Sequence, residues 1–520
     1  MNSLIERRAA RASLFFAQHP LALAAFAIVA LSASGLTSVQ AQTATRDDGA
    51  LPSVTVTGNP LGATNLIAPV ESYTGATLLF RSKSTLGETL DGTPGVSSSY
   101  FGPNASRPII RGLDGDRVRI LQNSGSSVDA SGLSNDHAVP SDPISMERIE
   151  VLRGPGALMY GGSAVGGVVN VMDNRIPLER VFDANGGLSG KLNLEAASGN
   201  GERSAAALLE TGTDRMALHV DAFNRSSDDV SVPVRLACTK PGSPAVARAI
   251  CNSSAQNQGA AVGGTLFFHH ARLGASFSSF RSDYGTVAED AVTIGMRSDR
   301  AALEWDIDQL PGWFRSVKLR ASQTDYQHTE FEDDEPGTVF KNTGHDLRLV
   351  AHHAKLGPWE GVLGLHSEDV RFSADGAEAF APYSHSTQTA VFAFEELPLA
   401  WGRISLGARM ESVQVTSSGN PQVARFVPAS RSFNPHSVAL GVLWNARPDW
   451  QLTTNLAYTE RAPKDYELFA NGPHLATNAY EVGNSQFGVE QSTNLDLGLK
   501  WKRGANSFQL SAFANQFNNY

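Results

Sequence analysis

SMERIEVLRGPGALMYGGSAVGGVVNVMDNRIP, running from Ser145 to Pro177, decides how the rest of the chain is read. Ile149, Val151 and Leu152 open an apolar run that breaks at Arg153-Gly154-Pro155, and a second run, Val168-Val169-Asn170-Val171, follows a block of small residues. Two short strands joined by a glycine-built connection are predicted. The glycines at 161, 162, 166 and 167 permit close backbone approach or positive φ. They do not make a phosphate loop, because neither a following Lys-Ser/Thr nor the GxGxxG order opening a helix is present.

The chain has 520 residues, 41% of them hydrophobic, which is enough for a large core and more than one domain. No internal stretch is apolar for the length a membrane-spanning helix needs. A β-barrel remains open to it, since alternating strands keep average hydropathy low. A net charge of −10 without a sustained Lys/Arg block excludes a nucleic-acid footprint and suits either a cation ligand or plain solubility. HExxH and GxSxG are both absent, so no enzymatic chemistry is expected.

Residues 1–41 have the anatomy of a secretory signal peptide: Arg7, Arg8 and Arg11, then the apolar Leu21 to Leu31, then small residues ending at Ala41. Export gives meaning to the two cysteines, Cys238 and Cys251, which flank a loop-like segment rich in turn formers. In an oxidising compartment a disulfide would close that loop; the alternative, a zinc knuckle, lacks the CxxC spacing.

From Leu188 onward, period-two alternation dominates. Leu188, Leu192 and Leu194 share one phase, as do Met216 and Leu218, Leu452 and Leu456, and Leu495 and Leu497, with His219, Asp221, Asn455 and Asp496 between them. One apolar and one polar face suits a barrel with lipid outside and water inside. Trp444, Trp450 and Trp501 near strand ends suit an interfacial girdle. A soluble sandwich also alternates, so alternation alone does not decide between them.

The combination decides it. ERIEVLRGPGALMYGGSAVGGVVNV closely resembles the end of the plug domain of TonB-dependent outer-membrane receptors, and Ile109-Ile110-Arg111-Gly112-Leu113-Asp114-Gly115-Asp116-Arg117-Val118 resembles the IRG segment of the same plug. The resemblance implies a membrane all-β fold: a large antiparallel transmembrane β-barrel of about 22 strands when complete, with an N-terminal α/β plug domain in its lumen. It divides the chain into the signal peptide, a periplasmic extension over 42–77, a plug over 78–177 and a barrel over 185–520. Residues 188–520 supply about 14 to 16 strands at roughly ten residues each plus loops. Closing strands are therefore expected beyond Tyr520.

Leu51-Pro52-Ser53-Val54-Thr55-Val56-Thr57 resembles a TonB box, a β-prone segment that would add as a strand to the periplasmic partner TonB. The receptors of this family import scarce ligands across the outer membrane, in contact with its lipid. Leu133-Ser134-Asn135-Asp136-His137 and the loop after Tyr458, which projects His474, together resemble a narrower group, the zinc-uptake receptors. That likeness implies a ligand set of Asp136, His137, a barrel Glu and His474, with Zn²⁺ as cargo. Glu378 is the best match for the Glu, with Glu330 or Glu332 behind it. A mixed N/O shell suits zinc, while copper or nickel would compete.

Other readings stay in view. Arg461-Ala462-Pro463 with a downstream His resembles the box of haem receptors, and haem or siderophore-iron uptake is the alternative function, although Asn471-Gly472-Pro473-His474 departs from that box. His328-Thr329-Glu330-Phe331-Glu332-Asp333-Asp334-Glu335 reads as an acidic loop that is solvated or gathers cations at the pore mouth. The pairs His269-His270 and His352-His353 are expected in strands, where neighbours face opposite sides and do not share an ion.

Overall fold

The computed structural model describes residues 70–333, 335–377, 379–474 and 478–520. The expected signal peptide over residues 1–41 and the 51–57 segment lie outside the described residues.

Two β systems are present, one inside the other. The inner one is a sheet of five short strands in the order Val70–Thr74, Arg148–Leu152, Gly167–Met172, Val118–Gln122, Gly125–Ser126. Gly167–Met172 takes the centre because it is apolar without alternation: Val168, Val169 and Asn170 are wholly buried. The paired strands expected from Ser145–Pro177 are there, antiparallel from Arg148↔Met172 to Leu152↔Val168. Val118–Gln122 does not pair with Arg148–Leu152 but lies parallel to Gly167–Met172 on its opposite side. The most apolar strand separates the two, since only the central position covers both its faces.

Leu86, Leu90, Ile110, Ile149 and Val169 form the core beneath this sheet. The short helix Leu86–Leu90 is capped by Thr85, whose hydroxyl accepts from the Glu88 amide at 3.4 Å, and Ser84 donates to the Pro103 carbonyl at 2.8 Å.

The outer system is a single antiparallel sheet of sixteen strands from Gly187–Ala197 to Asn506–Asn518, within the expected number. Among the described residues no ladder joins its first strand to its last. Successive strands are neighbours, and Pro428–Phe433 pairs only with the upper part of Gly402–Gly419. At one end the connections are tight, as at 400–401, 448–449 and 504–505; at the other they are long, as at 228–254, 420–435 and 462–489. The seven tryptophans all sit on or beside the tight-turn end, with the Trp450 and Trp501 ring centroids 6.3 Å apart. An aromatic girdle at one water–lipid boundary accounts for that distribution.

Alternation sorts the side chains as expected. Leu188, Leu192 and Leu194 are 62%, 70% and 69% exposed, whereas His219, Asp221, Asn455 and Asp496 are buried. The apolar face therefore points away from the enclosed domain, and the polar face meets it. Ion pairs tie the two together: Arg111 to Asp496, Arg117 Nε to Glu490 at 2.9 Å, and Arg175 Nε to Asp221 at 2.8 Å. The glycine block supplies the close approach that its composition suggested. A side-chain carbon at Gly162 would collide with the Glu460 carbonyl of the surrounding sheet.

Cys238 and Cys251 are disulfide-bonded, with Cα atoms 5.4 Å apart, in the long 228–254 connection. Below it, Arg225 donates from Nε to Asp142 at 3.0 Å and from Nη2 at 3.2 Å, with both side chains buried. Replacing Arg225 with Met leaves the Asp142 carboxylate buried without its cation, at a cost of about 3–5 kcal/mol. The expected outcome is a lower urea concentration for protease cleavage near residue 142 in detergent-solubilised protein. An unchanged midpoint would mean that this pair does not hold the inner domain in place.

Candidate metal centre between plug and barrel

The inner-domain loop that carries Ser134-Asn135-Asp136-His137 reaches up to the long-loop end of the sheet. Its backbone is fixed there by Tyr284, whose hydroxyl donates to the Asp136 carbonyl at 2.8 Å and accepts from the Ala138 amide at 2.9 Å. His137 Nδ1 is hydrogen-bonded to the Ala130 carbonyl at 3.1 Å, which fixes the ring and directs Nε2 outward. Nε2 lies 3.1 Å from Glu330 Oε1.

Glu330 and His328 belong to the upper end of strand Phe314–Glu332, and their spacing of two residues puts both on its inner face. The expected acidic loop begins too early: His328 is in the strand and 0% exposed, while Glu332 is exposed. The His137 and His328 rings are 4.2 Å apart, and His328 stacks on Phe340 at 4.6 Å. Tyr326 hydroxyl meets His328 Nδ1 at 2.9 Å, leaving Nε2 facing Glu330 Oε1 at 3.9 Å.

His137, His328 and Glu330 each offer one ligand atom, all within 4.8 Å of one another. Two of their buried atoms, His328 Nε2 and Glu330 Oε2, have no hydrogen-bond partner among the described residues. Orphaned polar atoms in a buried place are costly unless something else completes them. Tetrahedral ligands at about 2.0–2.1 Å from an ion stand roughly 3.3 Å apart, so small side-chain rotations bring this trio to coordinating distance. Burial disfavours a charged His137 ring, but Asp136 and Glu330 outweigh it and push its pKa up to about 9. A bound metal would displace that proton.

The expected ligands divide into two branches of the same loop. His137 joins Glu330 and His328. Asp136 turns to the Ser134 hydroxyl, which in turn lies 2.7 Å from His474 Nε2. His474 also meets Glu481 at 2.6 Å and stacks on Phe380 at 4.5 Å. It therefore stands beside the trio rather than in it, linked through Ser134. Glu378 lies outside the described residues. His328 is absent from the ligand set that the resemblance implies; the signal that finds it is the His-x-Glu spacing once residues 326–332 are read as a strand.

Arg461 is engaged elsewhere, donating to Glu467 at 2.8 Å and to Glu490 at 3.0 Å, which clamps the strand end to the helix Asp465–Phe469. His269 and His270 sit in a tight turn rather than a strand, with rings 4.0 Å apart, because the strand Ala255–Phe267 ends before them. His352 and His353 do close a strand, and His353 meets Glu395 at 2.9 Å.

Known proteins match this architecture. The family described as TonB dependent receptor-like, beta-barrel covers residues 252–520, and the TonB-dependent Receptor Plug Domain covers residues 63–168. An iron-regulated outer membrane virulence protein of Vibrio cholerae is 24% identical over 451 residues, spanning 84% of this chain and 62% of its own length. The vitamin B12 transporter BtuB of Photobacterium profundum is 29% identical over 172 residues, 32% of this chain and 28% of that protein. Among solved structures, the copper transporter OprC superposes with a TM-score of 0.70 at 15% identity, covering 87% of this chain and 71% of that one. A double mutant of the Serratia marcescens hemophore receptor HasR, bound to its hemophore and heme, gives 0.69 at 15% identity, covering 87% and 73%.

Proposed function

The chain belongs to the TonB-dependent receptors of the Gram-negative outer membrane, and from that membership we propose that it imports a divalent transition-metal ion, Zn²⁺ before others, by TonB-driven movement of its plug. The observation that carries the metal is the buried trio His137, His328 and Glu330, with two atoms lacking partners among the described residues, at the contact of plug loop and barrel. Two borderline imidazoles and a harder carboxylate suit zinc, while copper or nickel would compete. A fourth position is left for water, and a site that is not fully closed by protein can also release its ion.

The ion enters from the long-loop side and bridges plug to barrel. The 51–57 segment then pairs with TonB as an added strand, and force along the chain separates His137 from His328 and Glu330. Splitting a site between two moving bodies converts that movement into loss of affinity. The protein supplies binding, charge compensation and a moving wall; no covalent step is involved.

Haem or siderophore-iron uptake is the second reading, and the names of HasR and the Vibrio cholerae relative favour it. Both ring nitrogens of His474 have partners and its ring is stacked on Phe380, which leaves it poorly disposed as a haem ligand. Growth separates the two. A receptor-deleted strain carrying this chain with any segment needed to complete its barrel is expected to grow on limiting zinc and gain nothing on haem or ferric siderophore. Rescue by haem alone would replace the zinc reading.

A further inference from the structure

Below the trio, a second group of metal-binding side chains faces the plug. Asp346, His366 and Glu368, on the adjacent strands Glu335–His353 and Glu360–Asp375, present ligand atoms within 4.8 Å of one another. His366 Nε2 is 2.8 Å from Asp346 Oδ2. The group is covered by the plug hairpin 118–126. Arg119 Nη2 lies 2.5 Å from Glu368 Oε2 and 2.5 Å from Ser126 Oγ, and Ser126 donates to Asp346 at 2.8 Å. Of the nearby barrel cations, Arg409 pairs with Glu411 and also reaches His366 Nδ1 at 3.1 Å, and Arg300 bonds the Ser126 carbonyl and the Thr324 hydroxyl.

The position matters as much as the chemistry. A cavity of about 190 Å³ beside the plug loop is lined by Ala130, Leu133, Arg119 and Glu368. A larger one, about 940 Å³, opens toward the tight-turn end and is lined by Met159, Tyr160 and Arg348. The three side chains lie between them: Glu368 borders the upper cavity, and His366 contacts Arg409, which donates to the Met159 carbonyl at 3.0 Å. Arg119 is incompletely satisfied, its buried Nε having no partner among the described residues. Withdrawal of the hairpin therefore removes one cation and one hydroxyl from two carboxylates and an imidazole that have faced them directly.

We propose that Asp346, His366 and Glu368 form a transit site for a divalent cation, held shut in the resting receptor by Arg119 acting as a tethered counter-ion. The inference rests on the import reading above, but it concerns different residues. A cation leaving the upper site meets a second set of N and O donors only after the plug strand Val118–Gln122 has shifted, so the route has two stations that do not open together.

Zinc alone, titrated calorimetrically into the full chain in detergent, tests this in a background lacking the upper ligands (His137→Ala, His328→Ala). Adding Arg119→Ala is expected to create one zinc equivalent per chain where the parent binds none, and adding Asp346→Asn with His366→Ala is expected to remove it. Arg119→Lys keeps the charge and is expected to bind none. Should Arg119→Ala fail to fold, as judged by heat-modifiable migration on gels, Arg119→Gln retains a donor to Ser126 and serves in its place. A folded Arg119→Ala or Arg119→Gln protein without the added equivalent overturns the transit site. Absence of zinc from the unsubstituted chain would instead overturn the upper site and leave this result readable.

Discussion

Replacing His137 and His328 together with alanine is expected to weaken zinc binding by more than about 100-fold, beyond what loss of outer-shell partners costs a metal site. Both rings are buried and both direct a nitrogen toward Glu330, so no surface residue can substitute for them. His474→Ala should cost less, about 10- to 100-fold, because His474 Nε2 is hydrogen-bonded to Ser134, which in turn bonds Asp136 beside the trio. Calorimetric titration of refolded protein separates these values. Equal affinity in all three proteins would leave the trio without a metal role. If His474→Ala proved as damaging as the double substitution, the ligand set implied by resemblance would be the better description.

Deleting residues 51–57 is expected to reduce zinc uptake by cells to the level of a receptor-null strain while leaving zinc affinity of the purified protein unchanged. The segment is short, β-prone and remote in sequence from the trio, so its loss removes the point of pulling and nothing that touches the ion. Radioactive zinc accumulation in cells, set beside binding to purified protein, reads both quantities. Uptake that survives the deletion would mean passive recognition without energised import. Loss of affinity as well would mean that the segment acts on the site directly.

The barrel and plug were legible from residues because each depends on one-dimensional pattern. Leu188, Leu192 and Leu194 announce an outward face, and Val168-Val169-Asn170-Val171 announces a buried strand. Strand order was not legible: Val118–Gln122 has two possible neighbours of equal chemistry, and only packing chose Gly167–Met172. The candidate metal centre was half legible. His137 stood out beside Asp136, yet the placement of the Glu required knowing that residues 326–332 continue a strand above the sheet, where His328 and Glu330 share one face. Local composition, dense in acid, pointed to a loop instead. The Asp346, His366 and Glu368 group was invisible for the same reason, since its members come from paired strands twenty residues apart and meet only through register.

Diffraction at the zinc absorption edge from a crystal of the zinc-loaded protein addresses the central claim, that plug and barrel share one ion. The expected result is an anomalous peak at about 2.0–2.2 Å from a nitrogen of His137, a nitrogen of His328 and an oxygen of Glu330. A peak bound by residues of the barrel alone, or of the plug alone, would contradict it, because an ion held by one body is not released when the two are drawn apart.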